Sequence, residues 1–349
     1  MRRKGWIRAG SPRVKDLDLP RSTRLAKPDI LENVWLEVTN SCNLTCQHCY
    51  ASSGPSVDRS GEMSLDQWIA AIDDILAVGA AKITFIGGEP SIRLDLVQKL
   101  SSYIQLKSPK TQLRMFSNLA IRSKVREIVD VVKSHDIEFG TALYGLNPVQ
   151  HDTMTGKLGS WEVTLAAISL CAEQGVDVFV GVYLDTADGI DLPRYDTWMQ
   201  EHRVKRYEVI APSKVGRGID KDWRLPAAVN NLPTAMTFSP HQAKISSSAH
   251  NCYYDHLVIR PDGLVSPCIM TRNVAYGNIA DGTTALFASA AYQGAASLSK
   301  DEIEGCSACE FRYACFDCRP DAMQGGDDWR KKPDCGYDPQ LELGASLTL

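Results

Sequence analysis

The residues most able to carry out chemistry are three closely spaced cysteines, Cys42, Cys46 and Cys49, which directly follow the apolar segment 34–39. An iron–sulfur cubane contains four irons, and each iron is normally held by one cysteine thiolate. Three thiolates would leave one iron open to bind another molecule. A structural zinc ion is the alternative, with His48 as the fourth ligand, but zinc sites usually show two short cysteine pairs. The unpaired spacing therefore favours a cluster with one open iron.

A second motif, formed by Gly87, Gly88, Glu89 and Pro90, ends the apolar segment 83–86. Glycines at the end of a strand let the backbone approach a ligand closely, and a carboxylate there can accept hydrogen bonds from an ammonium group. A cluster of glycine and proline by itself would indicate only a turn. Because this motif follows the cysteines at the end of another predicted strand, it favours a shared ligand site.

These two motifs resemble those of the radical S-adenosylmethionine (SAM) superfamily. In that family the open iron binds the amino and carboxylate groups of SAM, the Gly-Gly-Glu-Pro loop holds the amino group, and an aromatic residue follows the third cysteine. The resemblance implies that Ser117 and Asn118 contact the ribose or carboxylate of SAM, although such a pair can also cap a helix or form a turn. The expected SAM-binding residues are Tyr50, Gly87, Gly88, Glu89, Pro90, Ser117, Asn118 and Tyr144.

A second group of cysteines follows residue 250 and consists of Cys252, Cys268, Cys306, Cys309, Cys315, Cys318 and Cys335. Their spacing, with Gly263 five positions before Cys268, resembles the SPASM domain, an auxiliary-cluster extension of radical SAM enzymes. The resemblance implies a distal [4Fe-4S] cluster on Cys306, Cys309, Cys315 and Cys335, and a nearer one on Cys252, Cys268 and Cys318. Two residues separate Cys315 from Cys318 where the SPASM pattern has three, and a zinc ribbon on Cys306, Cys309, Cys315 and Cys318 is the alternative.

Two fully ligated auxiliary clusters require eight thiolates, and this region contains seven. One auxiliary iron is therefore expected to be open or to take a ligand such as Asp255, His256 or Asp317, which lie close to the cysteines in the sequence. The remaining cysteine, Cys171, lies on a predicted helix at 161–174, where a buried free thiol is favoured.

Strand and helix signals alternate from Val34 to about Ala211. The predicted strands are 34–39, 82–86, 112–117, 137–143, 176–183 and 206–211, and the helices lie between Ser64 and Gly79 and near 94–107, 123–134 and 161–174. This alternation predicts an α/β fold with a parallel sheet. The resemblance implies a partial (β/α)6 radical SAM barrel with its active site at the carboxyl ends of the strands, followed by a small cysteine-rich SPASM domain.

The predicted domains are a basic N-terminal arm at 1–33, the barrel at 34–211, a bridging segment at 212–250 and the SPASM domain with a C-terminal tail at 251–349. The first twenty-seven residues carry nine Lys or Arg and two acids. This composition favours a solvated tail over an arm that binds an acidic substrate. The thirty-three residues before the first strand are expected to be too few for a winged-helix leader-binding domain.

The composition of the chain favours a cytoplasmic enzyme. The chain has 349 residues and a formal net charge of -4, which argues against a general nucleic-acid-binding protein. It shows neither an apolar segment of membrane-spanning length nor a signal peptide. In a reducing compartment thiols stay free, so the eleven cysteines are interpreted as metal ligands rather than disulfides.

The resemblance implies an enzyme that reductively cleaves SAM to a 5′-deoxyadenosyl radical and oxidises its substrate after hydrogen abstraction from a C–H bond. The segments 309–313 and 335–339 look like those of enzymes that modify ribosomally synthesised peptides, which favours a C–C or thioether crosslink. The alternative is dehydrogenation, epimerisation or decarboxylation of a small molecule such as an aminosugar, nucleoside or amino acid. A non-catalytic iron–sulfur or zinc scaffold is disfavoured because it would not need the loop at 87–90.

The expected cofactors are SAM, the [4Fe-4S] cluster that binds it, and two auxiliary [4Fe-4S] clusters. The expected partners are a peptide or small-molecule substrate, a flavodoxin- or ferredoxin-type electron donor and a separate leader-peptide-binding protein, with neither nucleic acid nor membrane. The sequence assigns no catalytic acid, base or hydrogen donor. His151 and Asp152 are predicted to lie on the loop after the fourth strand, where a surface role is favoured over a catalytic one.

Overall fold

The structure is a computed structural model. It describes residues 26–183, 192–210, 212–221, 245–309, 311–316, 318–323, 326 and 328–331. Most of the predicted basic arm, most of the predicted bridging segment, Asp317 and Cys335 lie outside the described residues.

A nine-stranded sheet forms the centre of the described part of the chain. Its strands are β1 Asn33–Thr39, β2 Lys82–Gly87, β3 Gln112–Phe116, β4 Glu138–Leu143, β5 Val178–Tyr183, β6 Arg206–Ile210, β7 His256–Ile259, β8 Leu264–Ser266 and β9 Gly277–Asn278. The first six strands pair in parallel in chain order, which confirms the six predicted strands and the α/β fold. Because parallel strands end at the same edge of a sheet, the loops after β1 to β4 come together there.

Helices connect the parallel strands, as the alternating signals predict. They are α1 Leu65–Val78, α2 Leu94–Lys107, α3 Val125–Ser134, α4 Pro148–Thr155, α5 Ser160–Glu173 and α6 Leu192–Glu201, followed by α7 Thr283–Ala288, α8 Ala290–Ala296 and α9 Arg319–Met323. Local sequence explains the start of α1, where Ser64 and Gln67 form a reciprocal capping box. The helix ends at Gly79, which adopts a φ of 103°.

Helix α4 is a difference from the sequence-based expectation, which had its residues in a loop. Asn147 accepts a hydrogen bond from the amide of Gln150, and Pro148 occupies the first turn, so this short helix has a good start. The eight residues show little amphipathic periodicity, and for this reason the pattern did not reveal it. His151 and Asp152 therefore lie on a helix rather than on a loop.

The core lies between the sheet and its helices. Trp68, Ile72 and Ile75 of α1 are completely buried, as their helical spacing predicts. Strand β1 is buried along most of its length, and β2 is buried in its middle at Ile83, Thr84 and Phe85. The pairing and burial of β1 and β2 fix the positions of their carboxyl ends relative to each other.

The cysteine-rich C-terminal region continues the same sheet. Strand β7 pairs in parallel with β1, and β8 pairs antiparallel with β7 across a turn at Gly263, whose φ is 81°. A buried ion pair reinforces the junction: one guanidinium nitrogen of Arg272 lies 2.5 Å from both carboxylate oxygens of Glu37 on β1. Burial disfavours the charged form of Arg272, whereas the neighbouring Glu37 carboxylate favours it. As a result, the pKa of Arg272 lies above its ordinary value.

Replacing Arg272 by Met should lower the free energy of unfolding by about 3–5 kcal/mol, because the completely buried carboxyl group of Glu37 would lose its ionic partner. Urea denaturation followed by tryptophan fluorescence would measure the change. Arg206, half-exposed and 3.2 Å from Asp177, is the matched control, since loss of such a surface pair should cost less than about 1 kcal/mol. Equal losses in the two variants would show that the buried pair does not hold the two regions together.

Candidate active site

The loop that carries Cys42, Cys46 and Cys49 begins two residues after β1 and is held from two sides. Helix α4 supports it from one side, where carbonyl oxygens near the end of that helix accept hydrogen bonds from the amides of Thr45 and Gln47 at 3.0 and 2.9 Å. Arg217 supports it from the other side and donates to the carbonyl oxygen of Cys46 at 2.7 Å. These contacts fix the backbone of the loop. The positions of the three cysteines therefore do not depend on contacts among their thiols.

The environment of the thiols fits an iron–sulfur cluster. Burial raises the pKa of Cys42 and Cys46 to about 12, and the neighbouring thiols add to the rise. Thiolate is the form that binds metal, so such a site needs nearby positive charge before it can hold three thiolates. The irons of a cluster would supply that charge. Asn118 also donates toward the sulfur of Cys42 at 3.6 Å, which favours the ionised form.

Glu89 lies below the loop at 87–90 rather than in the cavity. Its carboxylate is completely buried and accepts hydrogen bonds from the amide of Ser91 at 2.9 Å, the hydroxyl of Ser117 at 2.8 Å and the amide of Asn118 at 2.8 Å. Burial raises the pKa of Glu89, and the hydrogen bonds from Ser91, Asn118 and Ser117 oppose that rise. The side chain therefore joins the ends of β2 and β3, and its predicted contact with an ammonium group of SAM stays a prediction.

Gly87 and Gly88 bring this loop against the cysteine loop. The amide of Gly88 donates to the carbonyl oxygen of Thr39 at 2.7 Å, and the amide of Glu89 donates to that of Ser41 at 2.9 Å. A Cβ atom on Gly88 would lie 2.2 Å from the carbonyl oxygen of Ser41. Gly87 has a φ of 133°, and a Cβ there would lie 2.3 Å from the carbonyl oxygen of Thr39. Both glycines are therefore needed for the close approach of the two loops.

A cavity of about 300 Å³ opens between these loops at the carboxyl ends of the strands. The predicted site residues that line it are Cys42, Cys46, Cys49, Tyr50, Gly87, Gly88, Ser117, Asn118 and Tyr144, whereas Glu89 and Pro90 do not. The hydroxyl of Ser117 donates to the carboxylate of Glu89, and the side-chain amide of Asn118 donates to the side-chain oxygen of Asn43 at 2.9 Å. These hydrogen bonds fix the residues at the rim of the cavity. Tyr50 closes the floor, with its hydroxyl 3.5 Å from the carbonyl oxygen of Gly87.

An aromatic wall borders the cavity beside the third cysteine. The ring of His48 lies 4.8 Å from the ring of Tyr144, and its Nε2 atom is 3.3 Å from the Tyr144 hydroxyl. Burial lowers the pKa of His48 to about 4, so this imidazole is neutral near pH 7. His151 is also buried, against Trp161, and its expected surface position is corrected. Helix α4 turns it inward, and that helix was not predicted.

Three of the C-terminal cysteines surround one buried tyrosine. Burial is the main reason why the pKa of Tyr253 is raised, and the nearby thiols of Cys268, Cys318 and Cys252 raise it further. Burial also raises the pKa of Cys268 to about 11. These three cysteines are the expected ligands of the nearer auxiliary cluster, and that ligand set stays a prediction. The turns that carry Cys306, Cys309 and Cys315 lie elsewhere, and Cys315 borders a different cavity near the amino ends of the strands.

Asp321 and Arg217 line the cavity, and neither was predicted from the sequence. Asp321 follows Cys318 on a helical turn, since the amide of Ala322 donates to the carbonyl oxygen of Cys318 at 2.9 Å. Residues three apart share a helix face, so the carboxylate and the thiol point to the same side. The sequence signal that could have identified Asp321 is its position three residues after Cys318, a candidate cluster ligand. For Arg217 the sequence carried none, because its partners lie more than 150 residues away in the chain.

Comparison with known proteins agrees with this arrangement. Residues 36–197 match the Radical SAM superfamily, and residues 252–310 match SPASM, an iron–sulfur cluster-binding domain. The chain thus carries a radical SAM domain followed by a SPASM domain. It is an enzyme of the radical SAM/SPASM type, with iron–sulfur clusters and SAM as its cofactors. Cysteine spacing alone left structural zinc as the alternative for both groups of cysteines. The domain matches assign iron–sulfur clusters instead.

Relatives with different activities match this radical SAM enzyme. Fe-coproporphyrin III synthase of Methanosarcina barkeri is 27% identical over 195 residues, 55% of this chain and 47% of that protein. AdoMet-dependent heme synthase of the same organism is 24% identical over 342 residues, 87% of this chain and 95% of that protein. The antilisterial bacteriocin subtilosin biosynthesis protein AlbA of Bacillus subtilis is 24% identical over 259 residues, 70% and 56% of the two chains. This chain thus spans about half the length of the first and third of these relatives.

A solved structure confirms the fold. Streptococcus suis SuiB bound to its precursor peptide SuiA superposes with a TM-score of 0.69 and 14% identity, over 88% of this chain and 76% of SuiB. At this identity the likeness concerns the fold alone. In the part of the chain that the structure describes, no helix combines the length and the apolar character needed to cross a bilayer.

Replacing Gly88 by Ala should weaken SAM binding, because the new Cβ would push the loop away from Ser41 and into the cavity. If the displaced loop loses about 1.4 kcal/mol of binding free energy, the Kd for SAM will rise about tenfold. Equilibrium dialysis of reconstituted protein with labelled SAM would measure it. Gly61→Ala is the matched control, since a Cβ there meets no atom within 4 Å. Equal affinity in both variants would contradict a SAM-binding role for this loop.

Proposed function

We propose that this radical SAM/SPASM enzyme oxidatively modifies a ribosomally synthesised peptide, forming a C–C or thioether crosslink. The observation that carries the proposal is the convergence of three groups on one cavity: the thiols of the cysteine loop, the backbone of Gly87 and Gly88, and the Asp321 side chain beside Cys318. A SAM molecule, a substrate and an auxiliary cluster would therefore meet within one small space. This proximity is what a hydrogen abstraction followed by loss of an electron requires.

Cys42, Cys46 and Cys49 would hold the cluster whose fourth iron is open to SAM. When bound, this cluster supplies the electron that cleaves SAM and generates the group that abstracts hydrogen. Gly87 and Gly88 would offer backbone carbonyl oxygens to the amino group of SAM, because no Cβ blocks their approach. The buried Glu89 carboxylate would act indirectly, by keeping this loop in register with the cysteine loop.

The far wall of the cavity would receive the adenosine and the substrate. Apolar side chains line it, among them Phe116, Phe179, Ile210 and Met270, which exclude water from a reactive group. Among the described residues, the hydroxyl of Thr141 is buried in this wall without a hydrogen-bond partner. Burial of such a group is costly unless a ligand pairs with it, so Thr141 would hydrogen-bond a polar atom of SAM or of the substrate.

Cys252, Cys268 and Cys318 would hold the nearer auxiliary cluster beside the cavity, within reach of an electron from the substrate. Asp321 shares the helical turn with Cys318 and would serve as a non-thiolate ligand at the one position that the seven C-terminal cysteines leave without a thiolate. Asp255 pairs with His256 at 2.7 Å and borders the cavity at the opposite end of the strands, which makes that pair a less suitable source of the ligand.

A peptide substrate is supported by relatives whose names concern peptides, including AlbA, a sporulation killing factor maturation protein and a PqqA peptide cyclase. A second candidate is oxidation of a small molecule such as a tetrapyrrole. The heme synthase match supports it because that alignment covers nearly the whole of both chains. The two candidates share the SAM chemistry and differ only in what enters the cavity.

Joint replacement of Cys42, Cys46 and Cys49 by Ala should abolish formation of 5′-deoxyadenosine from SAM under reducing conditions. Reconstituted native protein should contain about twelve irons per chain, at four per cubane, and the triple variant about eight, because the auxiliary clusters use other ligands. Iron analysis and chromatography of the products would test this. Cys171→Ala is the control, since this buried thiol lies in the hydrophobic core. Product formation by the triple variant would refute the role of the cysteine loop.

The substrate class can be tested by growing the host of this protein on deuterated medium and separating its extract by size. Hydrogen abstraction transfers deuterium from the substrate to 5′-deoxyadenosine, which mass spectrometry detects. We expect transfer from the peptide fraction and its loss after protease digestion. Transfer only from the protease-resistant small-molecule fraction would favour the tetrapyrrole-type candidate instead.

A further inference from the structure

We propose that a surface groove beside the cysteine loop is the docking site of a small acidic one-electron carrier protein. This inference rests on the proposed function, which requires an external electron for each SAM cleaved. The groove has a volume of about 580 Å³. We call it the Leu158 groove, and its lining residues are Asn43, the segment 120–123, the segment 157–160 and Val163.

The floor of the Leu158 groove touches the cysteine loop directly. Ala120 packs with Cys42 and Leu44 in a small buried apolar cluster, and Cys46 borders it. The side-chain amide of Asn43 donates to the carbonyl oxygen of Ala120 at 3.2 Å. One layer of residues therefore separates the groove from a candidate cluster ligand. Electron transfer slows steeply with distance, so a carrier seated here would have a short path to the cluster.

The rim of the groove has the chemistry of a protein interface. Leu158 is 94% exposed at the tip of its loop and presents an apolar side chain at the rim of the groove. Arg122 and Lys157 are exposed on either side of it. The apolar side chain of Leu158 together with the two cations resembles the core and polar rim of a protein interface. Such a surface matches a partner that carries acidic groups around an apolar centre.

The charges around the groove favour an acidic partner specifically. Among the described residues that line it, Arg122 and Lys157 are charged and none is acidic. Nearby, Glu127 is paired with Lys124 at 3.6 Å, and Glu162 lies outside the lining on the first turn of α5. The chain as a whole carries a net charge of -4, so an acidic carrier would be repelled by the rest of the surface. The local basic rim would direct it to the groove.

The loop that presents Leu158 is held in one conformation. The carboxylate of Asp152 on α4 accepts hydrogen bonds from the amides of Gly159 and Trp161 at 2.7 and 2.8 Å and from the hydroxyl of Ser160 at 2.9 Å. Three contacts to one side chain fix the loop immediately after Leu158. A surface that is already ordered loses little entropy when a partner binds.

The step that this docking serves is a one-electron transfer. Cys42, Cys46 and Cys49 would hold the cluster that accepts this electron, and the reduced carrier, of the flavodoxin or ferredoxin class, would be oxidised by one electron. No bond of the protein forms or breaks, and the oxidised carrier then leaves. Because the partner must dissociate after each electron, moderate affinity that depends on charge suits the task.

The test compares the reconstituted enzyme with its R122E/K157E variant, using a bacterial flavodoxin as the probe. Binding of oxidised flavodoxin, measured by biolayer interferometry, should weaken about tenfold, and the affinity of the native enzyme should fall with added salt. Formation of 5′-deoxyadenosine driven by reduced flavodoxin should slow about tenfold, while the rate with dithionite should not change. The charge-matched control is K110E/K133E, because both lysines are exposed away from the groove.

Equal weakening in the two double variants, or none in either, would overturn the docking proposal. Leu158→Ser is a second variant that keeps all charges and should also weaken flavodoxin binding without affecting the dithionite rate. If native enzyme failed to cleave SAM even with dithionite, the proposed function would be wrong, and the binding measurement would still decide the docking site. The two failures are therefore distinguishable.

Discussion

The candidate active site depends on one buried carboxylate. Glu89 lies after β2 and accepts three hydrogen bonds, two of them from Ser117 and Asn118 after β3, while its own amide donates to Ser41 after β1. A completely buried carboxylate without these donors would cost several kcal/mol, so the three loop ends must keep their relative positions. The cysteine loop and the rim of the cavity are consequently built on a common support.

This support explains why the residues around it are small or polar. Gly87 and Gly88 cross the cysteine loop at distances that leave no space for a side chain. Ser117 and Asn118 direct their polar atoms toward Glu89 and Asn43, and thereby orient the residues that flank Cys42. Arg217 completes the arrangement from the opposite side by donating to two carbonyl oxygens of the cysteine loop and the residues after it. These polar side chains at the edge of the cavity thus hold the backbone of the cysteine loop and of the glycine loop in place.

The junction between the barrel and the C-terminal cysteine-rich region also depends on a buried carboxylate, that of Glu37. Strand β7 extends the sheet from β1, and the ion pair between Glu37 and Arg272 fastens the chain near Cys268 to the interior of the barrel. The guanidinium of Arg272 also lies 5.9 Å from the ring of Tyr50, on the floor of the cavity. The same contacts that stabilise the fold therefore set the position of the C-terminal cysteines relative to the cysteine loop. A change at this junction would alter both stability and the geometry of the site.

The sequence by itself determined the features that depend on local chemistry. Cysteine spacing identified the candidate ligands, and strand and helix signals located β1 to β6 and the helix between Ser64 and Gly79. The tertiary structure decided which way side chains point and which distant residues meet. Glu89 turns inward because Ser117 and Asn118 offer it donors, and Arg217 reaches the cysteine loop from far along the chain. Such contacts form only after packing, because no local pattern specifies a partner that is distant in sequence.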